Sequence, residues 1–265
     1  MSTSVNPFQL ENHTGRVITL IPARYQSSRL PGKPLIQISG KTVIQRTYSR
    51  VQEAKTLHPD YIYVVTDDDR IENHVKSWDG RVIRVDRICL NGTERIARAL
   101  PLLNLQPPVS DDDIILNVQG DEPAIDPRNI DFLISKHQSQ KNDVTTLHSE
   151  TSNKKVVFSN NSCKIVTDIN GRVLYGSRMS IPYLPINKTV TRDIWKEHIG
   201  IFVFRKEWLQ FLLTQNATPL QICEDIEWLQ TLELGGNMKS YQAPYKTECG
   251  VNTKEDVDYL SKCLQ

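Results

Sequence analysis

The stretch Val17-Ile18-Thr19-Leu20-Ile21, followed by Pro22-Ala23-Arg24-Tyr25-Gln26-Ser27-Ser28-Arg29-Leu30-Pro31-Gly32-Lys33-Pro34, decides the architecture of this chain. Its first five residues are β-branched or apolar and read as a buried strand. Proline and glycine then break the chain into a long polar loop. A helical pattern follows over residues 42–54, with Val43, Ile44, Thr47 and Val51 near one face. Outward from this unit the alternation repeats. Residues 61–65 read as a strand running into Thr66-Asp67-Asp68-Asp69, where carboxylates suit the positive end of a helix. Residues 82–85 read as a third strand, with a loop to Thr93 and a helix to about Leu103. Residues 114–118 read as a fourth, and Asp126-Pro127 opens another helix with proline at its first position. Strands alternating with helices at this spacing predict an α/β fold with a mostly parallel sheet. Ligands in such sheets sit beyond the carboxyl ends of the strands.

The second half changes character. Residues 163–167 and 172–175 flank Asp168-Ile169-Asn170-Gly171, and Asn-Gly is a strong hairpin signal. A strand is expected over 199–204, a long amphipathic helix from Thr218-Pro219 to about Leu234, and a closing helix over 253–264. The expectation is a polar N-terminal extension (residues 1–15) and one domain (16–265), with an antiparallel excursion at about 150–200.

Composition removes several classes of function. Lysine and arginine number 32 and the acidic residues 31, a formal charge of +1, so nucleic acid is not an expected partner. No run of about 18 apolar residues spans a membrane, and residues 1–16 lack the basic and apolar segments of a signal peptide. The five cysteines are scattered, with no CxxC pair and no zinc spacing. A soluble, cytoplasmic protein is expected.

Four segments carry candidate chemistry. The loop over residues 22–34 places Arg24, Arg29 and Lys33 within ten residues, directly after the first strand. Such cations suit phosphate oxygens, although a basic loop is also common on any surface. Gly40-Lys41-Thr42 resembles the end of a Walker loop, but its leading glycine would fall at Leu35, so that motif is excluded. Asn117-Val118-Gln119-Gly120-Asp121-Glu122-Pro123 ends a strand, so Asp121 either holds Mg²⁺ or caps a turn. Asn91-Gly92-Thr93-Glu94-Arg95 is either an anion- or base-reading helix start or a plain cap. Finally, Tyr175, Ser177-Arg178, Glu197-His198, Glu224 and Glu227 are polar residues of the later half; Glu224 and Glu227 would share a face of the expected helix.

Taken in order, these segments resemble the CMP-Kdo synthetases, the 3-deoxy-manno-octulosonate cytidylyltransferases. The resemblance runs from Ile21-Pro22-Ala23-Arg24-Tyr25 and Arg29-Leu30-Pro31-Gly32-Lys33-Pro34-Leu35, through Asn91 to Arg95 and Asn117 to Pro123. It continues over Tyr175-Gly176-Ser177-Arg178, His198-Ile199-Gly200-Ile201, Glu224, Glu227 and Gly250-Val251. It implies a Rossmann-like nucleotide-diphospho-sugar transferase fold, dimerising through the antiparallel excursion. The implied reaction is Mg²⁺-dependent transfer of CMP from CTP to the anomeric hydroxyl of an acidic sugar, with release of pyrophosphate. By likeness, Arg24, Lys33 and Asp121 are catalytic, and Ala23, Arg24, Ser28, Lys33, Gly92, Thr93, Arg95 and Gln119 bind CTP. Arg29, Gln119, Arg178, His198, Glu224 and Glu227 bind the sugar, and Asp121 with the residue at 252 takes the metal.

This sequence also departs from the family. The family's Gly-Val-Asp is Gly250-Val251-Asn252, so a carboxylate has become an amide. Asn91 and Cys89 replace a serine and a histidine, Gln221 a glutamate, Trp228 a glutamine and Phe202 a tyrosine. The sugar-facing side is therefore altered more than the nucleotide side. Kdo is the first expected acceptor; an 8-amino octulosonate, a sialic-type sugar, or a homologue that binds without turnover are the alternatives.

Overall fold

The computed structural model of the chain describes residues 15–27, 29–140, 142–185 and 194–264. Most of the expected N-terminal extension, and Ser28, lie outside the described residues. The strands, in chain order, are β1 (Val17–Pro22), β2 (Gln37–Ile38), β3 (Lys41–Thr42), β4 (Ile62–Thr66), β5 (Val82–Arg84), β6 (Ile114–Val118), β7 (Val144–Thr151), β8 (Lys164–Thr167), β9 (Val173–Ser177), β10 (Trp195–Arg205) and β11 (Met238–Gln242). The helices are α1 (Val43–Gln52), α2 (Asp69–Lys76), α3 (Gly92–Ala99), α4 (Pro127–Gln138), α5 (Lys154–Val157), α6 (Lys206–Leu213), α7 (Pro219–Glu224), α8 (Leu229–Glu233) and α9 (Lys254–Cys263).

The main sheet runs β11-β7-β10-β6-β1-β4-β5. β1 lies parallel to β4 on one side and to β6 on the other, with Leu20 opposite both Tyr63 and Asn117. The chain thus leaves β1 in opposite directions, which opens a crevice at its carboxyl end. β10 is inserted antiparallel between β6 and β7. The β8–β9 hairpin branches off β10 through Lys196 and Glu197, and this is the antiparallel excursion expected from Asn170-Gly171.

Both faces of the sheet are covered. Ile18, Leu20, Ile115 and Phe204 pack with Ile96 and Ala97 of α3 and Leu209 and Leu212 of α6. Ile21, Leu116, Val118 and Val203 meet Ile44 and Val51 of α1, Ile71 and Val75 of α2, and Ile130 and Leu133 of α4. That two-sided burial is why β1 and β6 read as continuous apolar runs. Helices leaving the carboxyl edge start on side-chain caps: Thr42, Asp68, Asn91, Asp126 and Thr253 each accept an amide of the first turn.

Three expectations are corrected. The helix expected from Thr218 to about Leu234 is two short ones, because Asp225 adopts a left-handed conformation with φ 52°. The Glu224 carboxylate accepts from the Tyr175 and Ser177 hydroxyls and from the Arg178 amide, which binds the end of α7 to β9 and outweighs the helical pattern. Glu224 and Glu227 therefore do not share a helical face. The helix expected to Leu103 ends at Ala99 and passes into a 3₁₀ turn around Pro101. β7 and β11 were not anticipated. β7 buries Thr145, Thr146 and His148, whose polar atoms are satisfied laterally, so it shows no apolar run.

Lys164 anchors the excursion. Its side chain is fully buried, and its ammonium donates to the carbonyls of Ser159 (2.5 Å), Ser162 (2.8 Å) and Arg178 (2.6 Å). Lys164→Met should lower stability by about 3 kcal/mol or more, since it leaves three acceptors unsatisfied and each costs about 1–3 kcal/mol. An unchanged urea-denaturation midpoint would contradict this role.

Candidate active site

A cleft of about 1000 Å³ lies over the carboxyl ends of β1 and β6 and reaches β10 and the α5 segment. The loop after β1 is closed on itself: the Gly32 amide donates to the Tyr25 carbonyl at 2.9 Å, with Gly32 at φ 71°. The Arg70 guanidinium stacks over the Tyr25 ring, 3.2 Å from its centroid, and fixes the loop from outside. Arg24, Arg29 and Lys33 consequently line the cleft. Arg24 is exposed. Arg29 reaches Asn161 Oδ1 across the cleft at 3.0 Å. Lys33 donates to Asp121 Oδ2 at 2.5 Å and to the Val251 carbonyl at 2.8 Å.

The turn after β6 lies against β1. The Gly120 amide meets the Pro22 carbonyl, and a Cβ at 120 would fall 2.7 Å from that oxygen, so only glycine allows this approach. Asp121 Oδ1 has no hydrogen-bond partner among the described residues, and the same is true of the Asn252 side-chain amide, which lines the same cleft. The Asn252 and Thr253 amides both donate to Asp256 Oδ2 at 2.8 Å, which fixes position 252 at the start of α9. One unpaired carboxylate oxygen and one amide oxygen lining the same cleft suit Mg²⁺, which takes few protein oxygens and completes its shell with water and phosphate. Among the described residues, no group of three His, Cys, Asp or Glu side chains is arranged around a metal position.

On the nucleotide side implied by the resemblance, Glu227 joins two elements. Its carboxylate accepts from the Thr93 amide at the start of α3 (3.0 Å) and from Gln119 Nε2 (2.5 Å). Burial pushes Glu227 above the usual carboxylate range, opposed by the amides of Thr93 and Gly92. Arg95 is 3% exposed and pairs with Asp67 through Nη2 at 3.0 Å. Its Nη1 is buried without a hydrogen-bond partner among the described residues, a donor that a bound ligand or water would satisfy. Ala23, Gly92, Arg95 and Gln119 line the cleft, whereas Thr93 reaches it only through Glu227.

At the other end, Arg178 is held by the carbonyls of Glu224 (3.0 Å) and Asp225 (2.8 Å) and lines the cleft. Glu224 lies behind it, occupied by β9. The His198 ring lies close to those of Phe202 and Trp228, with centroids 5.0 and 5.6 Å away. Residues given no role from sequence also converge here. Glu122 accepts from the Gly200 amide at 3.0 Å and is pushed up to about 8, first by burial and then by Asp121. Burial likewise pushes Glu197 up to about 6. Lys155 and Asn161 complete the far wall. Glu122 and Glu197 stand inside the candidate segments read from sequence, though neither was given an individual role there; nothing in sequence singled out Lys155 or Asn161.

A cleft at the β1 crevice with a cationic loop, an open carboxylate and a nucleotide-side helix start is the layout of a nucleotidyl-transferring α/β protein. The chain belongs to the cytidylyltransferase family, whose model matches residues 18–243. It is 36% identical over 255 residues to a 3-deoxy-manno-octulosonate cytidylyltransferase of Protochlamydia amoebophila, covering 95% of each chain. It is 38% identical over 243 residues to an 8-amino-3,8-dideoxy-manno-octulosonate cytidylyltransferase of Shewanella pealeana, covering 91% of this chain and 95% of that one. Among solved structures it matches a CMP:2-keto-3-deoxy-manno-octonic acid synthetase complexed with CTP, with a TM-score of 0.80 and 30% identity, covering 94% of this chain and 98% of that one.

The aromatic wall depends on a glycine. A Cβ on Gly176 would fall 2.1 Å from Cη2 of Trp228, so β9 makes room for the indole by omitting a side chain. Gly176→Ala should cost about 1–3 kcal/mol through overpacking. Most of that cost should disappear in a Trp228→Phe background, a coupling that a double-mutant cycle on urea denaturation measures. Additive effects would contradict the contact.

Proposed function

We propose that this protein transfers CMP from CTP to the anomeric hydroxyl of 3-deoxy-manno-octulosonate or its 8-amino analogue, releasing pyrophosphate. The observation that carries this reading is the single cleft. It joins the Arg24–Lys33 loop and Asp121 to the Arg178–His198 end, in a chain about as similar to cytidylyltransferases named for one sugar as for the other.

The residues account for the chemistry. Attack of a sugar hydroxyl on the α-phosphorus builds negative charge on the non-bridging and leaving oxygens. Arg24 and Lys33 provide cations there; Lys33 is held in place by the Val251 carbonyl as well as by Asp121. Arg95 and the α3 start bind the nucleotide, and Gln119, oriented by Glu227, borders both substrates. Arg29 and Arg178 attract the sugar carboxylate. Mg²⁺ is the cofactor of this reading, held by Asp121 with Asn252; when bound it neutralises phosphate charge and acidifies the attacking hydroxyl. The active form is a homodimer built on the excursion, where Leu174, Met179 and Tyr183 are exposed apolar surface. Exposed free thiols at Cys223 and Cys263 suit the reducing cytoplasm.

Pyrophosphate release from CTP and Mg²⁺ with each octulosonate tests the reaction, and failure with both sugars would sink it. Lys33→Ala and Asp121→Asn should each cut turnover at least about a hundredfold, if their contacts resemble a transition-state donor worth roughly 2.7 kcal/mol or more. Near-normal turnover by either variant would remove that residue from the mechanism. Asn252→Asp restores a carboxylate and should lower the Mg²⁺ concentration giving half-maximal activity, with CTP affinity measured without sugar nearly unchanged. Superimposable metal titrations of the two proteins would show that residue 252 does not touch the cation.

A further inference from the structure

His198 lies in an arrangement that fixes which of its nitrogens carries the proton. The pairing of β7 with β10 is irregular: Ile199 lies opposite Leu147, but Phe202 lies opposite Thr146. In this bulge the Thr146 hydroxyl donates to the Ile201 carbonyl at 2.6 Å and lies 2.9 Å from His198 Nε2. A carbonyl only accepts, so the single hydroxyl proton of Thr146 is committed to Ile201. The oxygen can then only accept from the ring, and Nε2 must be the protonated nitrogen.

Two aromatic rings lie close to the imidazole. They belong to Phe202 and Trp228, where the family resemblance leads one to expect a tyrosine and a glutamine. Burial pushes the imidazole down to about 3, helped by His148 nearby, so the ring is neutral at ordinary pH. Nδ1 therefore has no proton. It has no hydrogen-bond partner among the described residues, and the ring lines the cleft.

We propose that Thr146 is a positioning residue for the sugar half of the cleft, holding His198 as the Nε2–H tautomer so that its Nδ1 lone pair accepts a hydrogen bond from a substrate O–H or N–H. The inference rests on the proposed sugar chemistry and deepens it. Two acceptors repel, so the sugar carboxylate cannot bind Nδ1 and goes to the cations Arg29 and Arg178. His198 then reads a hydroxyl, or an amine on an aminated sugar.

The test uses the full-length protein labelled with ¹⁵N-histidine. Nitrogen NMR of the wild type should show His198 as neutral Nε2–H, and saturating 3-deoxy-manno-octulosonate on the CTP-loaded protein should shift the Nδ1 resonance. Thr146→Val should change the tautomer balance and raise the sugar KM about tenfold, the equivalent of one hydrogen bond, with the CTP KM unchanged. Thr146→Ser should restore both. An Nδ1–H tautomer in the wild type overturns the proposal, as does an unmoved Nδ1 resonance in a protein that turns the sugar over. So does a Thr146→Val protein with wild-type tautomer and KM. If Thr146→Val does not fold, the wild-type spectra and Thr146→Ser still decide. Absence of pyrophosphate release from the wild type overturns the substrate reading alone, because the tautomer is read without sugar.

Discussion

The ammonium of Lys33 ties the site together. Through Asp121 and the Val251 carbonyl it links the loop after β1 to residues 88 and 218 positions away in sequence. The β1 loop, the β6 turn and the approach to α9 would otherwise be three independent surface segments. Their convergence is possible because β1 and β6 are parallel neighbours whose carboxyl ends open on the same side. The contact also places a cation against the carboxylate most suited to a metal, so charge at this corner is balanced before any phosphate arrives. A buried or half-buried charge kept without a partner would shift its ionisation or distort the loop.

Glu227 plays the corresponding part on the other wall. By accepting from both the α3 start and Gln119, it makes the orientation of the nucleotide side depend on a residue from the segment between α7 and α8. That segment is in turn held by Glu224 against β9, and β9 is locked to the rest of the excursion by the buried Lys164 ammonium. The two ends of the cleft, proposed for nucleotide and sugar, therefore share supports. The supports run from the buried Lys164 through β9 and Glu224 to the segment that carries Glu227, and from there to Gln119.

Much of this was readable from the chain. β1, β4 and β6 stood out because burial on two faces demands apolar runs, and α4 because Asp126-Pro127 fixes its start. The break at Asp225 did not, because the amphipathic pattern continues through it and only the pull of Tyr175, Ser177 and Arg178 on Glu224 shows that the helix must stop. β7 did not because its buried face carries threonines and a histidine, whose partners come from strands and helices remote in sequence. The basic loop and Asp121 were visible as chemistry at a strand end, and most individual roles came from the family resemblance. Glu122, Glu197 and Thr146 take their significance from what the sheet places opposite them, which no local pattern records.

The Arg178–His198 end, proposed to hold the sugar, also shows why an apolar environment can sharpen polar recognition. Phe202 and Trp228 lie close to the His198 ring and give it apolar neighbours where it lines the cleft. An acceptor in such surroundings gains little from a substrate that offers no donor, and its desolvation goes uncompensated. Sites built to satisfy a specific hydroxyl or amine reject analogues lacking it far more strongly than apolar pockets reject a missing methylene. Loss of the polar neighbours that the family resemblance leads one to expect thus need not loosen selectivity. It concentrates selectivity on one nitrogen, and makes that nitrogen's proton state depend on the hydroxyl of Thr146 and on the bulge that brings the Ile201 carbonyl within its reach.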